Sequence, residues 1–352
     1  MIGSILRRIF GSERGERGQV LAVAAMFIVV MAGAASMAID LGSYISHRRS
    51  LQNSADAIAL AASLNLPAGA SAQSTANEWA TKNGVEISSM TITITPQSLP
   101  SEPNPKITIE IQAEHNLTFT RLVGLDTAGI TVTATAIITS PGGSDGLTPW
   151  SVLEDVKNGA APGDLVVLKY DSNNVQSGNF GALRIDGNGA KVYKNTIKYG
   201  SDNGLCVSGV PGCDDLSIVE TEPGNMTGPT RKGSDYRLNN TTLACDTWEE
   251  TVIENADGTQ WIRPECNPFT AGGNEDSLRL IIVPVIETLC NGACYVTVVE
   301  FALFFLEGFG AGGCTGNDCE IEGRFIQSNT NYGALMGVYD EDTFSHFVRL
   351  VN

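Results

Sequence analysis

The chain has little of what marks an enzyme or a nucleic-acid binder. Histidine is confined to His47, His115 and His346, far apart in the sequence and without obvious partners. No H-E-x-x-H and no G-x-x-x-x-G-K-[ST] occurs, so neither a zincin pair nor a phosphate-cradling loop is present. Carboxylates are plentiful, but no spacing singles out an acid–base pair. Basic charge is short: 22 Lys and Arg stand against 39 Asp and Glu, a net charge of −17. Residues 1–49 carry +3, which leaves −20 on residues 50–352. A bulk this acidic excludes nucleic acid as a partner and is repelled by anionic headgroups. Cysteine is absent before Cys206 and after Cys319. Long apolar runs are absent too, with one exception.

That exception is Val20 to Ile39, VLAVAAMFIVVMAGAASMAI. At about 1.5 Å per residue a helix of this length crosses roughly 30 Å, the core of a bilayer. Arg7, Arg8, Arg14 and Arg17 precede it, so the positive-inside rule keeps the N-terminus in the cytoplasm. Arg48 and Arg49 beyond it weaken the asymmetry. A cleaved signal peptide competes with a retained anchor, since Ala34 to Ala38 could mimic a cleavage site. The length of the run and the helical pattern after it favour retention. Phe301 to Leu306 is also apolar, but Tyr295 to Leu306 is too short to span and contains Glu300, so it reads as a buried strand.

Five segments are expected. Residues 1–18 form a cytoplasmic tail. Residues 19–66 form the spanning helix (about 20–39) and its extracytoplasmic extension, in which Leu41, Tyr44, Ile45, Leu51, Ile58 and Leu64 recur at helical spacing and Pro67 is the stop. Residues 67–140 form a small α+β module: a helix from Ser71 to Asn83, strands at Val85–Thr95, Lys106–Ala113 and Ile130–Thr139, and a short helix at Leu117–Leu125. Residues 141–149 are a linker. Residues 150–352 form a β-rich exported domain, with strands at Asp164–Tyr170, Gly181–Ile185, Leu278–Glu287, Cys294–Leu306 and Glu320–Asn329 and a helix between Gly189 and Tyr199. The fold class is α+β throughout.

Within the helix, Ala34, Ala38 and Gly42 form a small-xxx-small column that could admit a second helix, although Ala and Gly are common in spanning helices anyway. An even number of cysteines in one domain suits an oxidising compartment. They fall as four short-range pairs, Cys206/Cys213, Cys245/Cys266, Cys290/Cys294 and Cys314/Cys319, read as candidate disulfides. Asn291-Gly292 between the third pair is a hairpin signal. Zinc on Cys290, Cys294, Cys314 and Cys319 is the alternative, disfavoured by spacing and compartment. Asp171-Ser-Asn-Asn and Asp186-Gly-Asn-Gly resemble fragments of calcium loops but lack the closing Glu, so tight turns are expected. Asn225, Asn239 and Asn240 head N-glycosylation patterns, which matter only in an organism with the machinery. No catalytic residue, cofactor or metal site is expected.

The N-terminal block resembles the TadE/TadG-like family of bacterial tight-adherence (Flp-type) pilus systems. The resemblance rests on Arg17-Gly18-Gln19, the apolar run, Asp40-Leu41-Gly42, and Arg48-Arg49-Ser50-Leu51-Gln52-Asn53-Ser54-Ala55-Asp56-Ala57 through Ala62, covering about residues 16–63. It implies a non-catalytic inner-membrane protein of pilus or secretion assembly, whose partners are the lipid bilayer and other membrane proteins of that system. Counting from Gly18, the fifth residue is Val23, not the Glu of processed prepilins. The D-x-S-x-S metal site of larger relatives is absent. A surface binding module or adhesin, with the anchor as a mere tether, is the alternative, motivated by the size of residues 150–352. A tethered hydrolase with dispersed catalytic residues is the third reading, which would need a pocket that gathers Asp or Glu with His115 or His346.

Overall fold

The computed structural model describes residues 14–96, 104–170, 179–213, 215–255, 258–270, 272–328, 332 and 335–351. The chain opens on one uninterrupted helix, α1 (Arg14–Ser63), of 50 residues. At 1.5 Å per residue it is about 75 Å long, far more than a soluble core needs. Its two halves differ. From Val20 to Ile39 the large apolar side chains are exposed, Val20 at 68% and Ile28 at 65%. Beyond Asp40 a stripe at helical spacing is covered: Tyr44 and Leu51 in part, then Ala55, Ile58, Ala59 and Ala62 fully.

That stripe packs on a four-stranded antiparallel sheet. Strands β1 (Met90–Thr95), β2 (Lys106–Asn116) and β3 (Thr127–Thr139) follow α2 (Gly69–Lys82), which lays Ala72, Ala76 and Ala80 into the same core. Alternation places Ile107, Ile109, Ile111, Ile130, Val132 and Ala134 on the helix side. The small alanines of both helices permit a close approach to this isoleucine-rich face. Leu117–Leu125, expected to be helical, holds only a 3₁₀ turn at Thr120–Val123 that ends on Gly124 in the left-handed region.

The expected linker is not one. Pro141–Ser144 is a buried strand, β4, and Leu147, Thr148 and Trp150 are buried as well. Its glycines allow close backbone approach: a Cβ on Gly142 would lie 2.6 Å from the Gly337 nitrogen. Short elements follow: β5 (Val152–Leu153), α3 (Glu154–Asn158), β6 (Leu165–Lys169), α4 (Ala190–Tyr199), β7 (Leu205–Cys206), β8 (Ile218–Glu220), α5 (Thr227–Asn240), α6 (Trp248–Thr251), β9 (Val252–Glu254) and β10 (Gln260–Ile262). The long strands come next: β11 (Leu280–Ile286), β12 (Tyr295–Thr315) and β13 (Asp318–Ile326). Strands β14 (Leu335–Met336) and β15 (Phe347–Val351) close the chain.

The main sheet runs β5-β11-β12-β13-β6, with β8 added on β12. Every residue of β11 is buried, because both faces of the sheet are covered. One face joins Ile281, Val283, Phe304 and Phe325 to Tyr193 and Ile197 of α4. The other joins Ile282, Leu303 and Phe305 to Trp248 of α6. Phe301–Leu306 is therefore a central strand, fully buried. The molecule is α+β, with one long apolar N-terminal helix and a β-rich bulk, and its described sheets close no barrel.

Two further features depart from the sequence reading. The helix α5 was not anticipated, since Gly228, Pro229 and Gly233 lie within it and its side chains are mostly polar. Strand β15 leaves the C-terminal region and pairs with β3 from Phe347↔Thr139 to Val351↔Thr135, completing the first sheet.

Candidate functional site at the helix–hairpin junction

The residues that carry the family resemblance converge where α1 leaves its apolar half and meets the β2–β3 hairpin. The hairpin is in register from Lys106↔Ile137 to Asn116↔Thr127, so its tip is the segment 117–126. The tip opens with amides that no ladder partner can reach. Asp40 supplies the acceptor from α1. Its Oδ1 accepts from the Thr118 and Phe119 amides at 3.0 and 3.2 Å, and its Oδ2 from Phe119 and Thr120 at 3.0 and 2.7 Å. The carboxylate acts as a cap delivered from another element. Burial favours the protonated form of Asp40, but the amides of Thr120, Thr118 and Phe119 outweigh it and hold the carboxyl below its usual value.

One turn further, the Ser43 hydroxyl donates to the Asp40 carbonyl at 2.9 Å and lies 2.9 Å from His115 Nε2. On its other side the His115 ring is bonded to His47, with the two Nδ1 atoms 3.1 Å apart. The two histidines, far apart in sequence, are thus partners. Tyr44 packs edge-on to His115 and donates to the Gly129 carbonyl at 3.3 Å. Gln52 bonds Asp56 at 2.9 Å and the Thr133 carbonyl at 3.0 Å. The motif residues are therefore one face of a helix, each holding the hairpin at a successive level.

Ala34, Ala38 and Gly42 lie on exposed parts of the same helix. A Cβ at Gly42 would meet nothing within 4 Å, so the chain's own packing does not use the column's smallness. The cysteines form the disulfides Cys206–Cys213, Cys245–Cys266, Cys290–Cys294 and Cys314–Cys319. The last closes the β12–β13 turn, where the two residues are register partners. Asn291-Gly292 is part of a longer loop, not a two-residue hairpin, because β11 ends at Ile286 and β12 begins at Tyr295. Among the described residues no group of three or more His, Cys, Asp or Glu is arranged to hold a metal. Asp186 serves a turn, accepting from the Asp202 and Asn203 amides and the Thr196 hydroxyl. Asp171 to Asn174 lie outside the described residues.

A cavity of about 630 Å³ opens between the small module and the bulk, lined by Pro67, Pro96, Ser140, Glu300, Tyr339 and Asp340 among others. Glu300 is buried, and its Oε2 pairs with Lys157 Nζ at 3.0 Å. Burial pushes its carboxyl up to about 7 against the opposing pull of Lys157. His346 does not line this cavity: its Nε2 meets the Asp340 carbonyl at 2.7 Å and the Thr343 hydroxyl at 3.1 Å. Gly142-Gly143-Ser144-Asp145-Gly146 spells G-x-S-x-G, but Ser144 sits buried in β4, not on a strand-to-helix turn. Its hydroxyl faces the carbonyls of Asp145 and Tyr332, which is no nucleophile's setting.

The helix, its docked face and the start of α2 are what a comparison with protein families picks out. Residues 18–74 match the Tad family, "Putative Flp pilus-assembly TadE/G-like". The TadE/G-like region thus covers the exposed apolar half, the Asp40 cap and the alanine stripe. Residues 18–74 are thus similar to a family described as Flp pilus-assembly, and α1 is long and apolar enough to cross a membrane. Neither the curated proteins nor the solved structures contain a match to the chain.

Proposed function

We propose that this protein is a non-catalytic, single-pass component of an Flp-type pilus assembly or secretion system in the cytoplasmic membrane. Its N-terminus lies in the cytoplasm, and α1 seats in the bilayer beside other membrane proteins of the system. The acidic, disulfide-bearing bulk is presented outside. The observation that carries this reading is the continuity of α1: most of the TadE/G-like region is one unbroken helix, apolar and uncovered in its first half and docked to the folded bulk in its second. The arginines before the span and the four disulfides beyond it support the orientation.

A strain lacking the chain should lose surface pili and tight adherence, and the wild-type chain should restore both. Normal piliation in its absence would reject the reading. Protease added to intact spheroplasts should degrade residues 150–352, and full protection would reverse the orientation.

A further inference from the structure

We propose that the hairpin tip, residues 117–126, is a second membrane contact, seated in the headgroup boundary of the outer leaflet beside α1. The inference rests on the single-pass reading above. Four observations carry it.

The first is level. The tip is tied to Asp40, the residue that directly follows the apolar run. The exposed apolar surface of α1 continues past that level, with Leu41 at 60% and Ile45 at 41% exposure. The lipid-facing surface and the tip therefore overlap along the helix axis.

The second is direction. Bonds from α1 to the hairpin run from Gln52–Thr133 through Tyr44–Gly129 to Asp40–Thr118. Strand β2 descends the helix toward the bilayer, and 117–126 is where it turns back.

The third is composition. The tip begins LTFTRLVGL, in a chain whose exported part is strongly acidic. Phe119 and Leu125 are exposed at 36% and 57%, and Arg121 keeps only a loose, exposed pairing with Asp126 at 3.8 Å. Aromatic and aliphatic side chains with an adjacent arginine suit the interface of lipid and water.

The fourth is backbone satisfaction. A non-helical segment near hydrocarbon needs its amides paired. The Leu117 amide bonds the Asp126 carbonyl, Gly124 bonds Arg121, and Leu125 bonds Thr120. The Asp40 carboxylate takes Thr118, Phe119 and Thr120.

The test uses the full chain in vesicles of phosphatidylcholine and phosphatidylglycerol, with benzoylphenylalanine placed singly at Phe27, Phe119, Leu125 or Leu243. After irradiation, lipid adducts are measured by mass spectrometry. Adducts at 119 and 125 should exceed those at 243, an exposed leucine of the bulk, by at least about tenfold. Adducts at 27 without adducts at 119 and 125 would overturn the tip contact and leave the span intact. Adducts to protein alone at 119 would likewise overturn it, in favour of a protein neighbour. Absence of adducts at 27 would overturn the single-pass reading and this inference with it. The variant Phe119→Ser/Leu125→Ser, which keeps the Asp40 bonds, should still fold and should raise the accessibility of the tip to added protease.

Discussion

At the scale of single residues, Asp40 shows how far a motif can be read and where reading stops. A carboxylate just past a spanning run is visible in the sequence. Its partners are not, because the amides it caps lie 78 to 80 positions away. Since its folded-state pKa is depressed, its contribution is complete above the ordinary carboxylate value and is lost as pH falls through the lower, folded value. Protection factors for amide exchange at Thr118, Phe119 and Thr120 should therefore be high near neutrality and fall in acid. In Asp40→Asn they should be low at both. Glu300 runs the other way. Its carboxyl is raised from 4.5 to about 7, so the folded state holds a proton that the unfolded chain has released. The contribution of Glu300 is greatest below about 4.5 and declines as pH rises to about 7. Glu300→Gln should flatten that decline in denaturant titrations. Lys157→Met should steepen it and cost roughly 3–5 kcal/mol above neutrality, because a buried carboxylate loses its partner.

At the scale of elements, what could be read depended on where the stabilising contacts come from. The strands β11, β12 and β13 announce themselves through continuous or alternating apolar residues, and α4 through its spacing. Helix α5 does not. It is held by α4 and by Arg237, which donates to the Ile197 and Leu278 carbonyls, not by an apolar face of its own. Gly233 is the contact point: a Cβ there would lie 2.6 Å from Ile197 Cγ2. Gly233→Ala raises helix propensity by about 1 kcal/mol and still should destabilise the protein by about 1–3 kcal/mol, since the crowding outweighs the propensity. A thermal melt of the variant decides between the two effects. The segment Pro141–Ser144 misleads for a related reason. Proline, glycine and serine usually mark a solvated linker, but here the glycines let β4 press against Gly337.

At the scale of the whole molecule, the class, the single apolar helix and the β-rich bulk were all legible, because each is written in composition over long windows. The closure of the first sheet by β15 was not, since FVRLV reads like any short strand and nothing local names its partner. The two parts are joined through that strand, which pairs with β3. Removing residues 345–352 should expose the β3 edge and make α2 and the hairpin susceptible to limited proteolysis, although the deletion lies some two hundred positions away. Unchanged resistance of residues 67–140 would show that the module stands without its last strand.

The same closure sets an order of events during synthesis. The greasy rod is available for insertion as soon as the first sixty or so residues have left the ribosome, while the sheet it must dock waits for Phe347–Val351. Native pairing of such high sequence separation is slow. Until Phe347–Val351 has been made, the nascent chain carries an open, threonine- and isoleucine-rich strand edge along β3.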